Sequence, residues 1–138
     1  MANKANELSA EIVLRNEELK DAIEKLMSQQ EDIQEDILTL QSKKRNGEAI
    51  DENHLSELKA ARKESSDEIG LLALERTELF DDLPVIRLAT GKIKVIAAEL
   101  EKDADLIKQT AQKLRKVTKI LQKAEKLILK IIGLVGKI

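Results

Sequence analysis

A seven-residue apolar repeat near the start of the chain is the feature that most constrains its fold. A strand would alternate with a period of two, whereas a period of seven keeps side chains on one face of a helix that packs against other helices. Arg15, Gln29 and Asp36 interrupt the flanking positions of this stripe. We predict a first helix over about residues 6–45, ended by the polar run at 43–47. The repeating residues are Ile12, Leu19, Leu26, Ile33 and Leu40.

A second helix is predicted over about residues 51–82. Asp51 suits its N-cap, because the carboxylate can accept a backbone N–H that has no helical partner. Gly47, just after the first helix, readily supplies a left-handed cap residue. Pro84 ends the second helix, since the residue before a proline disfavours the α conformation. Polar residues in the middle of its stripe predict a weakly packed or wet section. These residues are Arg62, Ser65 and Arg76.

The C-terminal part of the chain has the longest periodic pattern. From Ile86 to Ile138, apolar residues follow alternating spacings of three and four, and fourteen of the sixteen stripe positions are apolar. This pattern predicts one helix over about residues 85–138, with a kink at Thr90-Gly91.

The three predicted helices make an all-α fold, a single helical domain over residues 1–138. We expect an elongated three-helix antiparallel coiled-coil bundle with a long C-terminal helix. Charged residues make up 36% of the chain, Phe80 is its one aromatic residue, and it has one Pro and five Gly. A β-sandwich or barrel would need more aromatic, Gly and Pro residues than this. The lack of cysteine excludes a disulfide framework, a thiolate nucleophile and a cysteine-based zinc site.

The catalytic and ligand-binding motifs in the sequence are all incomplete. Lys92 follows a glycine as in a P-loop, but Ile86 stands where the first glycine of that loop is required. His54 and Glu57 lie three residues apart on one predicted helix face, yet a di-iron bundle needs two such sets and the chain has one histidine. Adjacent carboxylates are numerous, but on such polar helices they indicate solvated surface. We therefore expect no catalytic residue, metal, cofactor or small-molecule substrate, and predict that the protein is not an enzyme.

Charge is segregated along the chain, although its formal net charge is only −2. Residues 1–82 hold 21 acidic and 11 basic residues, whereas residues 108–138 hold nine basic residues against Glu125 alone. This basic tract predicts an anionic partner: the chain's own acidic half, another copy, a membrane surface or a nucleic acid. A nucleic acid is the weakest of these, because the tract has one arginine, no aromatic residue and no DNA-binding signature. The predicted basic face comprises Lys113, Lys116, Lys119, Lys123, Lys126 and Lys130.

Residues 119–138 are predicted to form a cationic amphipathic tail. Such helices lie at membrane interfaces or bury themselves against partner helices, while the alternative is a bundle helix whose lysines only solubilise its outer face. The apolar set of the tail widens beyond the core stripe to include Ile120, Leu127, Leu129, Ile132 and Leu134. The predicted interaction or membrane face comprises Leu114, Val117, Leu121, Leu127, Ile128, Ile131, Ile132, Leu134, Val135 and Ile138.

Helix lengths predict that this tail projects from the bundle. With turns near Gly47 and Pro84, Leu55 is expected opposite about residue 113, and the first turn beside about residues 117–120. About twenty residues, or roughly 30 Å of helix, then extend past the other two helices. A monomer would expose this apolar surface, and large exposed apolar patches mark interaction sites.

We therefore predict a non-enzymatic coiled-coil protein that forms a homo-oligomer, or docks to a helical partner, through its basic amphipathic C-terminal helix. The alternative is a membrane-active protein that uses the same segment on an anionic membrane surface, as a peripheral binder or a component of a helical pore. The sequence shows neither the apolar core of a signal peptide nor a stretch of 18 uncharged apolar residues. We expect a cytoplasmic protein, with membrane association under the alternative and export by a signal-free route still open.

Overall fold

The computed structural model describes the backbone of residues 2–82, 86–89, 92–95 and 104–137, and the side chains of residues 4–79 and 104–137. Three long helices pack against one another, which confirms the predicted all-α three-helix bundle. A two-stranded hairpin separates the second helix from the third. The elements are α1 (Ala2–Arg45), α2 (Glu52–Asp82), β1 (Ile86–Ala89), β2 (Lys92–Val95) and α3 (Ala104–Leu134).

The connection between α1 and α2 follows the sequence closely. Gly47 has a φ of 82°, the left-handed conformation that glycine adopts without strain. Asp51 Oδ1 accepts a hydrogen bond of 3.1 Å from the backbone N–H of His54. Asp51 is therefore the N-cap of α2, as predicted.

Polar side chains set the antiparallel alignment of α1 and α2. Arg76 Nε donates a hydrogen bond of 3.0 Å to Asn16 Oδ1, and Arg62 Nη1 donates one of 2.8 Å to Gln34 Oε1. These two residues are among those that predicted a wet section in α2. Both arginines donate hydrogen bonds to side-chain amide oxygens of α1, so this section is polar but its arginines have hydrogen-bond partners in the bundle. Ser65, in contrast, is fully buried, and its hydroxyl has no hydrogen-bond partner among the described residues.

An apolar core runs along all three helices. The heptad residues of α1 are at its centre, and each of them is buried. Helix α1 packs against both α2 and α3 and so contributes the largest share. The largest fully buried side chains are Ile12, Leu19, Leu26, Ile33, Ile37, Leu58, Leu72, Leu79, Leu114 and Ile131.

The predicted helix over residues 85–138 is wrong in its first part, where the chain forms an antiparallel hairpin. Ile86 pairs with Val95 and Leu88 with Ile93, and β2 lies beside α1. The apolar positions of this segment fit spacings of three and four, but they also fit the period of two of a strand. The predicted kink at Thr90-Gly91 falls between β1 and β2, outside the described residues. A two-residue loop with glycine favours a hairpin.

The prediction that the tail projects from the bundle is also wrong. Helix α3 begins at Ala104 rather than near residue 85, so its alignment with α2 shifts. Lys130 Nζ lies 3.2 Å from Glu64 Oε2 of α2, although the predicted alignment set residue 113 opposite Leu55. Residues 119–137 therefore lie alongside α1 and α2 rather than beyond them. Helix α3 is antiparallel to α2 and parallel to α1, which keeps the predicted up-down-up order of the helices.

Candidate functional site

Helix α3 separates apolar from charged residues more sharply than α1 or α2 does. Most of the predicted interaction face lies inside the bundle, where it holds α3 against its own neighbours. Ile132 is exposed, and Ile138 lies outside the described residues. The buried members are Leu114, Val117, Leu127, Ile128 and Ile131, and the half-buried members are Leu121, Leu134 and Val135.

Two lysines near the start of the basic face pair with acidic residues of α2. Lys113 Nζ lies 3.2 Å from Glu75 Oε1 and 3.2 Å from Glu78 Oε2. Lys116 Nζ lies 3.6 Å from an oxygen of each of the same two carboxylates. The side chain of Glu75 is 3% exposed, so its charge depends on these lysines for compensation.

Two further lysines continue the same contact towards the C-terminus. Lys123 Nζ lies 3.8 Å from Glu68 Oε2, and Lys130 Nζ lies 3.2 Å from Glu64 Oε2. Burial raises the pKa of Glu68 above its ordinary value of 4.5, and the charge of Glu64 adds to this, whereas Lys123 lowers it. For these lysines, the anionic partner that the basic tract predicted is the acidic half of the same chain.

Two of the polar residues that interrupt the α1 stripe bind the main chain of α3 or of the turn that follows it. Gln29 Nε2 donates a hydrogen bond of 3.0 Å to the carbonyl oxygen of Ile128. Asp36 Oδ2 accepts one of 2.8 Å from the backbone N–H of Gly136. Both contacts join residues about one hundred positions apart, so they fix a single parallel alignment of the two helices.

The exposed large apolar residues of α3 form a short patch beside α1. Leu129 is 64% exposed and Ile132 is 54% exposed. Both residues line a groove between α1 and α3 whose other apolar residues are Ala22, Leu121 and Ile128. Leu129 belongs to the widened apolar set of the tail but not to the predicted interaction face.

Two exposed lysines lie on the outer surface of α3, outside this groove, whose charged lining residues are Glu18, Asp21, Lys25 and Glu125. Lys119 and Lys126 are exposed, and no ion pair joins either of them to another described residue. Gly133 continues the same seven-residue row, and a Cβ atom built on it would meet open space. We call these three residues, with Leu129 and Ile132, the α3 patch.

A second open groove lies between α1 and α2, and we call it the α1–α2 groove. Met27 and Leu38 line it and are 54% and 51% exposed. The other residues of α1 that line it include Glu31 and Glu35, both exposed, while α2 contributes Arg62. This groove shares no lining residue with the groove beside the α3 patch. The sequence analysis did not identify it, because Met27 and Leu38 lie off the heptad stripe.

The described residues contain no group of three or more His, Cys, Asp or Glu side chains that could hold a metal ion. His54 is half-buried near the start of α2, in a cleft that Leu40, Ile50 and Lys137 also line. No helix within the described ranges is long and apolar enough to cross a membrane.

Comparison of the chain with protein-family models, curated proteins and solved structures found no match.

Proposed function

We propose that the chain is a non-enzymatic helical-bundle protein that self-assembles through the α3 patch. The observation that carries this proposal is the exposure of Leu129 and Ile132, two large aliphatic side chains one turn apart. Burying side chains of this kind contributes about 1.5–3 kcal/mol each. A contact between two chains can therefore draw its apolar centre from this patch.

The charges of the surface favour a second copy as the partner. Lys119 and Lys126 make no ion pair with a described residue, whereas α1 carries exposed glutamates at Glu17, Glu24 and Glu31. One chain thus carries exposed positive charges on α3 and exposed negative charges on α1. Complementary charges speed and orient the encounter of two proteins, so another copy can present an acidic face to Lys119 and Lys126.

Sedimentation velocity over a range of protein concentrations tests the proposal. We expect the wild-type chain to associate as its concentration rises, and the double variant Leu129→Ser with Ile132→Ser to stay monomeric. The control is Leu71→Ser with Leu74→Ser, which removes two exposed leucines from α2. A wild-type chain that stays monomeric at every concentration contradicts the proposal.

Membrane binding by the same patch is the second candidate function. The exposure of Leu129 and Ile132 and of Lys119 and Lys126 on one helix supports it, because interfacial helices combine aliphatic anchors with lysines that face anionic headgroups. Flotation with anionic and neutral vesicles tests it. Binding to anionic vesicles that is lost in Leu129→Ser with Ile132→Ser supports the candidate, and indifference of the wild-type chain to both vesicles contradicts it.

A further inference from the structure

We propose that the α3 patch of one copy docks on the outer face of α1 of the next copy, with Leu38 seated over Gly133. This inference rests on the proposed self-assembly and names the surface that receives the patch. The receiving surface is the row of Glu24, Glu31 and Leu38 on α1, of which Glu31 and Leu38 also line the α1–α2 groove. The two surfaces lie on different helices of the same chain, so a copy can use both at once.

The charged residues of the two surfaces share one spacing. Glu24 and Glu31 are exposed on α1 seven positions apart, and Lys119 and Lys126 are exposed on α3 seven positions apart. Two helical turns separate each pair by about 10.5 Å along the helix axis. When α1 and α3 of neighbouring copies run parallel, Lys119 faces Glu24 and Lys126 faces Glu31.

Seven positions further along each helix, the two facing residues complement each other in size rather than in charge. On α1 the row reaches Leu38, which is 51% exposed, and on α3 it reaches Gly133. Gly133 lines a groove with Lys130 and Leu134 of α3 and with Glu57 and Ala60 of α2, so glycine leaves a gap in the surface of α3 beside Lys130. A large side chain opposite a gap between two others is the arrangement by which helices interlock in coiled coils.

The fold of a single copy gives no reason for glycine at position 133. A Cβ atom there would meet nothing within 4 Å. Its backbone does not adopt the left-handed conformation either, since the described glycines with positive φ are Gly47 and Gly136. Glycine also lowers helix stability relative to other residues. We infer that another chain approaches closely at this position, where glycine has no side chain to obstruct the contact.

The contact joins two different surfaces, so it is heterologous. The residues that line the α1–α2 groove are distinct from those that line the groove beside the α3 patch. A heterologous contact leaves one free surface at each end of an assembly, and further copies add unless the rotation closes a ring. We therefore expect assemblies that grow beyond a dimer with protein concentration.

Filling the gap at Gly133 is the first test. We expect Gly133→Leu to keep the helical signal, with a thermal midpoint at or above that of the wild-type chain, while it weakens association by about tenfold or more. Gly70→Leu is the matched control, because Gly70 is also a helical, exposed glycine with open space around its Cβ position. Association of Gly133→Leu equal to that of the wild-type chain contradicts the seating of Leu38 over Gly133.

Charge exchange is the second test, and it uses two double variants. One carries Glu24→Lys with Glu31→Lys, and the other carries Lys119→Glu with Lys126→Glu. Each variant alone brings like charges together and should lose association, whereas an equimolar mixture restores opposite charges at every contact between unlike variants and should regain it. Lys59→Glu with Lys63→Glu, two exposed lysines of α2, controls for net charge.

The outcomes separate this inference from the function on which it rests. A wild-type chain that associates, with variants that all associate equally well, contradicts this pairing of surfaces and leaves self-assembly in place. A mixture that fails to regain association contradicts the pairing as well. A wild-type chain that stays monomeric overturns both proposals, and binding to anionic vesicles through Leu129 and Ile132 would then identify a membrane as the partner.

Discussion

The carboxylate of Asp36 accepts a hydrogen bond of 2.8 Å from the backbone N–H of Gly136, one hundred positions further along the chain. Asp36 belongs to α1, and Gly136 follows the last turn of α3, where it adopts a φ of 78°. The carboxyl end of the described chain is thus tied to the bundle by a side chain and not only by apolar packing. This tie opposes the release of α3 that free insertion into a membrane would require.

Asp36→Ala should loosen the end of α3 without unfolding the bundle. A hydrogen bond of this kind contributes about 0.5–1.5 kcal/mol, and alanine compensates in part because it favours α1 as a helix. Hydrogen exchange of the backbone amides at 131–137 measures the effect, with faster exchange expected at Gly136. Glu35→Ala removes a neighbouring exposed carboxylate and should leave that exchange unchanged. Equal exchange in the two variants would contradict the role of Asp36.

Two adjacent isoleucines of α3 should respond in opposite ways to aspartate. Ile131 has 0% of its surface exposed, whereas Ile132 is 54% exposed. Ile131→Asp buries a charge among apolar side chains and also loses packing worth about 2–5 kcal/mol, so the bundle should unfold or nearly so. Ile132→Asp should keep the folded structure and lose association. Circular dichroism during urea titration compares them, and a folded Ile131→Asp protein would contradict the packing of the tail against the bundle.

The sequence allowed the helical character of the chain, the bounds of α1 and α2 and the cap at Asp51 to be predicted. Each of these follows from local chemistry or from a repeat over many residues. The secondary structure of residues 86–95 could not be predicted in this way. Ile86 and Ile93 match the spacing of the helical stripe, while the alternation in Ile86-Arg87-Leu88 matches the period of a strand. Two periods fit the same ten residues, and pairing between the strands decides which one forms.

The error in the alignment of α3 follows from the error at the hairpin. A helix that began at residue 85 would set Leu55 opposite residue 113 and leave the tail without neighbours. With α3 beginning at Ala104, Lys130 lies beside Glu64 and the tail is packed. The sequence did mark Gln29 as an interruption of the stripe, but no sequence pattern shows that such an amide binds the main chain of another helix.

Gln29→Leu should raise the stability of the bundle. Gln29 Oε1 is buried and has no hydrogen-bond partner among the described residues, which costs about 1–3 kcal/mol. Leucine removes this atom at similar volume, and the Ile128 carbonyl keeps the bond that it makes within α3. We expect the free energy of unfolding to rise by about 1 kcal/mol in urea titrations. Gln29→Ala leaves a cavity instead and should lower it. A fall for both variants would show that the amide contributes more than its unpaired oxygen costs.

Glu68→Gln should change how the stability of the bundle depends on pH. Burial raises the pKa of Glu68, so the folded protein holds a proton there at pH values at which the unfolded chain has released it. The free energy of unfolding therefore falls as pH rises from the ordinary pKa of 4.5 through the higher folded value, and the loss persists at neutral pH. Glutamine has no such titration.

The stability of Glu68→Gln relative to the wild-type chain should thus be greater at neutral pH than at pH values below 4.5. Urea titrations across this range measure the difference, and Asp67→Asn, which removes an exposed carboxylate next to Glu68, is the control. A difference between Glu68→Gln and the wild-type chain that stays constant across this range would mean that the ion pair with Lys123 offsets the burial of the carboxylate.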